Sequence, residues 1–422
     1  MKRRVKIGVI GLGQRGGFMI ENPIIPMKKE GVDIVALSDP LEDRLEEAAK
    51  KIVDSGAERP FTTTDYHELL KREDVEAVYI AVSWEMHVEV AIAAMKAGKY
   101  VGLEAGGAYS VDDCYKLIHA YEETGTELMF MENCCYGKRE LMALNMVRKG
   151  VFGDIMHCNG AYCHDLRYEV TEGKELRHYR LRNYIHRNCE NYPTHEIGPI
   201  SKVLDINNGN RFLTLSSFSS GSKGLHQYVL DHKGEDDPLA KVEFAQGDVV
   251  TTILTCANGQ TVCLTLDTTL PRAYSRRFEV HGTKGMYMED NDSIFLDNNE
   301  EHRKNDWNWK SMWGNATQHE EEYNHPLWQG DVGEDAHGGI DHLVFAAFIE
   351  AVRENLHPPI DIYDAATYMC ITALSEESIA MGGAPVPFPD FTAGKWTMRK
   401  DIADYKYTLD RIDNGHELYF AR

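Results

Sequence analysis

Two clusters of residues carry types and spacings that could do chemistry. The first is Tyr192-Pro193-Thr194-His195. A histidine with a near-neutral pKa can take a proton from a hydroxyl while hydride leaves the same carbon. Pro193 suits the start of a helix, with Thr194 as a cap, and Tyr192 and His195 would share one face if both were helical. The second is Gly11-Leu12-Gly13-Gln14-Arg15-Gly16, a G-x-G-x-x-G directly after the β-branched run Val5 to Ile10. In such a loop Gly11 allows the tight turn, Gly13 lets backbone approach a pyrophosphate, and Gly16 lets helix and strand pack closely. Asp39 ends the next strand pattern, where a ribose-binding carboxylate belongs. Asp39 would accept the ribose hydroxyls and repel a 2′-phosphate, favouring NAD over NADP. Arg15 is the counter-signal, since an arginine there could lie beside a phosphate.

Alternating elements must position these residues. Strand patterns at residues 33–38, 77–82, 100–104 and 127–131 alternate with helix patterns at 41–53, 66–71, 87–97 and 111–124. This alternation predicts a parallel, doubly wound sheet of the Rossmann type over residues 1–135. After a further helix at 139–149 the pattern turns to period two, at 211–217, 240–244, 249–255, 261–267, 277–281 and 285–289. Asn258-Gly259 and Gly282-Thr283-Lys284-Gly285 are hairpin signals. Residues 136–422 therefore read as an α+β domain with a large, mostly antiparallel open sheet. Two apolar helices follow at 337–355 and 365–381. The polar stretch 298–335 carries Trp307, Trp309, Trp313 and Trp328, and reads as an ordered loop rather than a sugar-stacking platform. The fold class is α/β with two domains.

Composition excludes several classes. The 422 residues include 45 basic and 67 acidic side chains, for a net charge of −22. That charge repels phosphate backbones and anionic membranes, so nucleic acid and membrane partners are not expected. No apolar stretch reaches the roughly 20 residues of a membrane span. The nine cysteines form no C-x-x-C pair and no zinc-type spacing with histidine, so reduced thiols, a cytoplasmic location and no metal are expected. The apolar run Val5 to Leu12 is broken by Lys6, Gly8 and Gly11, so the start of the chain reads as leading into the strand Val5 to Ile10 rather than as a signal peptide.

The start of the chain, Trp84-Glu85-Met86-His87 and the strand end at Glu104 resemble the Gfo/Idh/MocA oxidoreductases. Met131-Glu132-Asn133-Cys134-Cys135-Tyr136 and Tyr192-Pro193-Thr194-His195-Glu196-Ile197-Gly198-Pro199 narrow the likeness to the glycoside hydrolase family 109 branch. That branch holds NAD-dependent glycosidases, with α-N-acetylgalactosaminidase as the named activity. The resemblance implies cofactor contacts at Gln14, Arg15, Asp39, Trp84, His87, Glu104, Ala105 and Asn133, beside the loop glycines. It places Tyr162, Arg180 and Tyr274 around the sugar with Tyr192 and His195. One departure stands out. Many relatives carry Glu-Lys-Pro where this chain has Glu104-Ala105-Gly106. The proton-relaying lysine is missing, and Gly106-Gly107 is expected to leave room for substrate or cofactor.

The resemblance implies a redox route to glycoside cleavage, an exception to the usual pair of carboxylates. The sugar is oxidised at C3, loses its C2 proton, expels the C1 aglycone, gains water and is reduced again. His195 is the expected base for the C3 hydroxyl. Tyr192 or Tyr136 is the candidate for proton transfer at C2 or at the leaving group, given help from a neighbouring cation. Two readings compete with this one: a sugar or cyclitol dehydrogenase, and an NAD-binding regulator without catalysis. By analogy with the fold, two or more copies are expected to assemble. His164, Asp165, Glu190 and Glu196 are acid–base groups without an assigned place.

Overall fold

In the computed structural model, residues 3–297, 314–329, 337–399 and 405–410 are described. The chain divides into two compact units. The first comprises residues 1–136, 327–367 and 401–409, and the second residues 137–326, 368–400 and 410–422.

The first unit holds a six-stranded parallel sheet. Its strands are β1 (Val5–Ile10), β2 (Val32–Ser38), β3 (Phe61–Thr63), β4 (Ala77–Ile80), β5 (Tyr100–Leu103) and β6 (Leu128–Phe130), in the order β3-β2-β1-β4-β5-β6. Helices α1 (Gln14–Met19), α2 (Glu42–Asp54), α3 (Tyr66–Leu70), α4 (Trp84–Lys96) and α5 (Val111–Thr124) connect them. β4, β5 and β6 are buried throughout, as expected of strands covered on both faces. Strand order reverses between β1 and β4, the crevice where open α/β sheets bind ligands.

In the second unit come α6 (Lys138–Arg148), β7 (Ile155–Cys163), α7 (Arg167–Thr171), α8 (Arg180–His186), α9 (Thr194–Val203), β8 (Phe212–Ser219) and α10 (Gly224–His232). The strands β9 (Val249–Cys256), β10 (Thr261–Asp267), β11 (Glu279–Gly282), β12 (Gly285–Met288), β13 (Ser293–Leu296) and β14 (Val386–Pro387) complete an eight-stranded sheet. Its order is β13-β12-β11-β7-β10-β9-β8-β14, antiparallel except where β7 runs parallel to β10. The single turn α11 (Glu320–Tyr323) precedes α12 (Ile340–Glu354) and α13 (Ile362–Ala380). α12 belongs to the first unit.

Two expectations are corrected, and one strand is missing from the sequence pattern. Residues 240–244 form no strand: Pro238–Lys241 is a short 3-10 turn, started by Pro238 and capped by the Asp237 carboxylate, which accepts the Leu239 N–H at 2.8 Å. The longest strand, β7, is absent from the pattern reading, because it is buried almost continuously near its end and so shows no alternation. The helix after Tyr192 begins at Thr194, so Thr194 is its first residue and not its cap, and Tyr192 lies outside it. The loop containing Trp307, Trp309 and Trp313 lies outside the described residues. Trp328 is described: its Nε1 donates to the Tyr136 carbonyl at 2.9 Å.

Candidate functional site

The nucleotide end is built around the β1–α1 turn. Gly11 has φ +92°, and a Cβ there would stand 2.5 Å from the Ala81 carbonyl oxygen. A Cβ on Gly16 would stand 2.0 Å from the Gly11 oxygen. Only glycine fits at either position. Asp39 is buried and closes the turn from β2: its oxygens accept the N–H of Leu12 at 2.7 Å and of Leu41 at 2.9 Å. A carboxylate has about four acceptor sites, so these bonds leave capacity for ribose hydroxyls. Gln14 is exposed at the mouth of the loop.

Arg15 does not point at open space. Its Nε donates to Glu104 at 2.9 Å, and its Nη1 and Nη2 donate to Asp341 at 3.2 and 2.7 Å. Burial opposes the charge, but Glu104, Tyr79 and Asp341 together raise its pKa well above the arginine value. This guanidinium is neutralised by two carboxylates, while a second cation, Arg44 Nη1, lies 3.9 Å from the Asp39 carboxylate. Tyr79 donates its hydroxyl to the same Glu104 oxygen, and the Ala105 N–H donates to the other at 3.2 Å. The cation beside Glu104 is therefore Arg15, not a lysine next in the chain. Asn133 follows β6, is buried, and donates its Nδ2 to Asp341 at 2.8 Å.

Trp84 and His87 open α4, and both are buried. His87 Nε2 donates to the Val82 carbonyl at 3.1 Å, while its Nδ1 has no hydrogen-bond partner among the described residues. Burial lowers its pKa to about 4, so the ring is neutral at physiological pH and Nδ1 is an unused acceptor. The space beside Gly106 is already filled. A Cβ there would stand 2.4 Å from Trp84 Cδ1 and 3.0 Å from His87 Cε1. The expectation that Gly106 opens room for a ligand is corrected: its missing side chain seats Trp84 and His87. These features fit a dinucleotide: a side-chain-free turn, a ribose-level carboxylate and a buried, unpartnered imidazole nitrogen.

The acid–base groups of the second unit come from three elements. Tyr162 stands near the end of β7, Tyr192 and His195 at the start of α9, and Arg180 at the start of α8. The Tyr192 hydroxyl lies 3.3 Å from His195 Nε2, although Tyr192 is outside the helix. The Tyr162 ring packs 4.7 Å from Tyr192 and 5.6 Å from His195, centroid to centroid. The Tyr162 hydroxyl is 3.1 Å from His164 Nδ1. Tyr274 is half exposed and stands edge-on to His164 at 5.1 Å. The Arg180 guanidinium carbon lies 5.2 Å over the Tyr192 ring. Arg180 is no solvated loop residue. Its Nε lies 2.8 Å from Glu169, and although burial opposes the charge, Glu169 and the neighbouring tyrosines raise its pKa.

Sequence reasoning missed Glu169, because an i,i+11 partner leaves no periodic signal. His164, unplaced from sequence, joins the cluster; burial and then Arg180 lower its pKa. Glu190 is fully buried, and burial raises its carboxyl pKa to about 8, opposed by the Tyr192 backbone N–H. Asp165 instead pairs with Arg167 at 2.6 Å. Tyr136 is fully buried in the first unit, and its hydroxyl donates to the Tyr407 carbonyl at 3.3 Å. That hydroxyl is engaged with backbone, whereas two tyrosine hydroxyls of the second unit stand beside imidazoles, Tyr192 by His195 and Tyr162 by His164.

Among the described residues no helix is long and apolar enough to cross a membrane. None of the nine cysteines, all of them among the described residues, forms a disulfide.

Known families divide the chain once, between residues 132 and 136, so residues 327–367 of the first unit fall within the second match. Residues 5–132 match the oxidoreductase family with an NAD-binding Rossmann fold, and residues 136–398 match the C-terminal domain of glycosyl hydrolase 109. A glycosyl hydrolase family 109 protein of Parabacteroides distasonis is 39% identical, covering 94% of this chain and 89% of its own length. An α-N-acetylgalactosaminidase of Tannerella forsythia is 39% identical over 94% of this chain and 88% of its own. Among solved structures, levoglucosan dehydrogenase in complex with NADH and levoglucosan superposes with a TM-score of 0.69 at 19% identity, covering 92% of this chain and all of that one. The dehydrogenase shares the fold, whereas the glycosyl hydrolases share the fold and more than a third of the sequence along nearly its full length. The chain is therefore a member of glycosyl hydrolase family 109, with an NAD-binding Rossmann domain at its N-terminus.

Proposed function

We propose that this NAD-dependent glycoside hydrolase cleaves α-N-acetylgalactosaminides by transient oxidation at C3, with NAD rather than NADP as cofactor. The observation that carries the reading is the Tyr192–His195 pair, 3.3 Å apart and flanked by the buried Arg180, on a chain whose other unit is a dinucleotide fold. Bound NAD would supply a reversible two-electron oxidation of sugar C3, which acidifies the C2 proton and lets the aglycone leave C1 before water adds and the electrons return.

The residues do the rest. His195 Nε2 takes the C3 hydroxyl proton and later returns it. Tyr192 exchanges the proton at C2. An ordinary tyrosine near pKa ~10 is a poor base, and a guanidinium over its ring favours the phenolate. Arg180 fills that role, with Glu169 holding its guanidinium in place. Tyr162 and the half-exposed Tyr274 offer flat faces and hydroxyls to a sugar ring. Asp39 accepts the ribose hydroxyls, and no free cation at Arg15 favours a 2′-phosphate. The preference for N-acetylgalactosamine rests on the named relative.

Aryl α- and β-glycosides, including the N-acetyl-α-galactosaminide, test this in the presence of NAD. Aglycone should appear without accumulating NADH, and deuterium from solvent should enter C2 of the product. His195→Ala and Tyr192→Phe should each lower turnover by about 10²-fold or more, the usual contribution of a positioned acid or base. Full turnover in His195→Ala removes the proposed base. NADH accumulating with a free sugar would make the protein a dehydrogenase instead.

A further inference from the structure

The Gly-rich loop is gripped by a residue from far along the chain. Asp341 lies in the first turn of α12, which follows more than two hundred residues after the last strand of the parallel sheet. Its carboxylate is completely buried. Arg15 reaches it through both Nη1 and Nη2, Asn133 donates to the Oδ1 at 2.8 Å, and His337 Nδ1 faces the Oδ2. Burial disfavours this carboxylate's charge, but His337 and Arg15 hold its pKa well below the usual range. Every partner in this cluster belongs to the first unit, and two of them are loop or strand-end positions of the nucleotide crevice: Arg15 and Asn133. A planar guanidinium held at two points by one carboxylate, and at Nε by another, cannot swing.

We propose that Asp341 is a positioning residue for the dinucleotide: through its two-point hold on Arg15 and its bond to Asn133 it fixes the Gly-rich loop in the shape that receives the pyrophosphate, and so sets how long the cofactor is retained. This rests on the NAD-dependent reading above and adds to it a residue outside residues 5–132, the stretch that matches the Rossmann family. Retention matters to a redox glycosidase, because cofactor lost in mid-cycle strands the sugar as its ketone.

The test uses the full-length protein and NADH alone, without glycoside. Asp341→Asn keeps the shape of the side chain and removes its charge. NADH fluorescence titration should show a dissociation constant raised at least tenfold, and a chase with excess NAD should show release faster by a similar factor. Arg15→Lys, which keeps the charge but not the two-point geometry, should behave alike. Arg353→Met is the control. It lies on the same helix, where Arg353 pairs with Glu350 and donates to the Arg3 and Glu30 carbonyls. It should lower the melting temperature and leave NADH affinity unchanged. Wild-type NADH affinity and release in Asp341→Asn would overturn the proposal. So would an equal loss of affinity in Arg353→Met, which would reduce the effect to a loosened helix. Because no glycoside is present, either failure leaves the glycosidase reading standing, and a protein that passes here but releases no aglycone fails that reading alone.

Discussion

Alanine at Gly106 is the sharpest probe of how the nucleotide end is assembled. The added Cβ would stand 2.4 Å from Trp84 Cδ1, 2.7 Å from Trp84 Nε1 and 3.0 Å from His87 Cε1. Carbon atoms attract best at roughly 3.5–4.0 Å, so both rings must move. Neither is the loose end of a flexible chain. Trp84 is 4% exposed and His87 1%, and both are fixed in the first turn of α4. Overpacking of a dense interior costs typically about 1–3 kcal/mol, and a clash with two rigid rings belongs at the upper end. At roughly 2–4 °C per kcal/mol for domains of 150–250 residues, about 3 kcal/mol is a melting temperature lower by roughly 6–12 °C. NADH affinity should fall as well, because the imidazole Nδ1 of His87 is displaced.

The cause can be isolated with Trp84→Leu, which removes the indole edge that clashes. In a double-mutant cycle the alanine should cost markedly less in the leucine background, with a coupling energy of about 1–2 kcal/mol. Scanning calorimetry of the four proteins and NADH titrations of each supply the readouts. A Gly106→Ala protein that melts with its parent, or one whose penalty is the same with and without Trp84, would refute the argument that Gly106 exists to seat these rings.

Two other outcomes follow from the charged pairs. Glu169→Gln leaves the Arg180 guanidinium without its nearest carboxylate; broken buried pairs cost about 3–5 kcal/mol, and with Arg180 12% and Glu169 21% exposed the expectation is about 2–3 kcal/mol by urea denaturation, together with a lower kcat/KM. His357 is flanked by Asp361 and Glu127, which overcome burial and raise its pKa to about 10 from 6.5. A raised folded-state value means the stabilisation is complete below pH 6.5 and is lost as pH climbs toward 10, with an upper bound of about 5 kcal/mol at 1.36 kcal/mol per unit. Denaturation midpoints of the parent should therefore fall across that window, and those of His357→Gln should fall less; parallel curves would contradict the pairing.

The parallel sheet was legible because its signals are local. A G-x-G-x-x-G between strand and helix, and continuous apolar strands, both lie within a few residues of one another. The Tyr192–His195 pair was legible for the same reason, although by the wrong geometry: the two side chains meet with Tyr192 outside the helix, not on one helical face. What escaped was non-local or unpatterned. β7 is buried nearly throughout its second half and shows no alternation, yet it carries Tyr162 and lies between β11 and β10. Asp341 sits 326 residues from Arg15, and no periodicity announces such a pair. Residues 240–244 looked like a strand because alternation was weighed above the Asp237-Pro238 start signal. At Gly106 the sequence revealed that space was left but not which side chain takes it.

The acidic chain and the anionic cofactor now fit together through the fate of Arg15. A net charge of −22 would disfavour a dinucleotide if phosphate binding depended on surface cations. The arginine of the Gly-rich loop is spent internally, on Glu104 and Asp341. Its charge organises the loop and is not offered to the ligand. Beside Arg44, whose Nη1 lies 3.4 Å from where a Gly13 Cβ would stand, the turn offers a pyrophosphate its backbone amide dipoles, with no side chain tolerated at Gly11 or Gly16. Such dipoles act over a few ångströms and are little affected by charge elsewhere on the surface. The cation that neutralises Glu104 arrives from the loop, and the Trp84 and His87 rings occupy the place opened at Gly106. In the proposed mechanism the proton chemistry falls to Tyr192 and His195, and the Arg15–Asp341 hold on the Gly-rich loop serves cofactor retention.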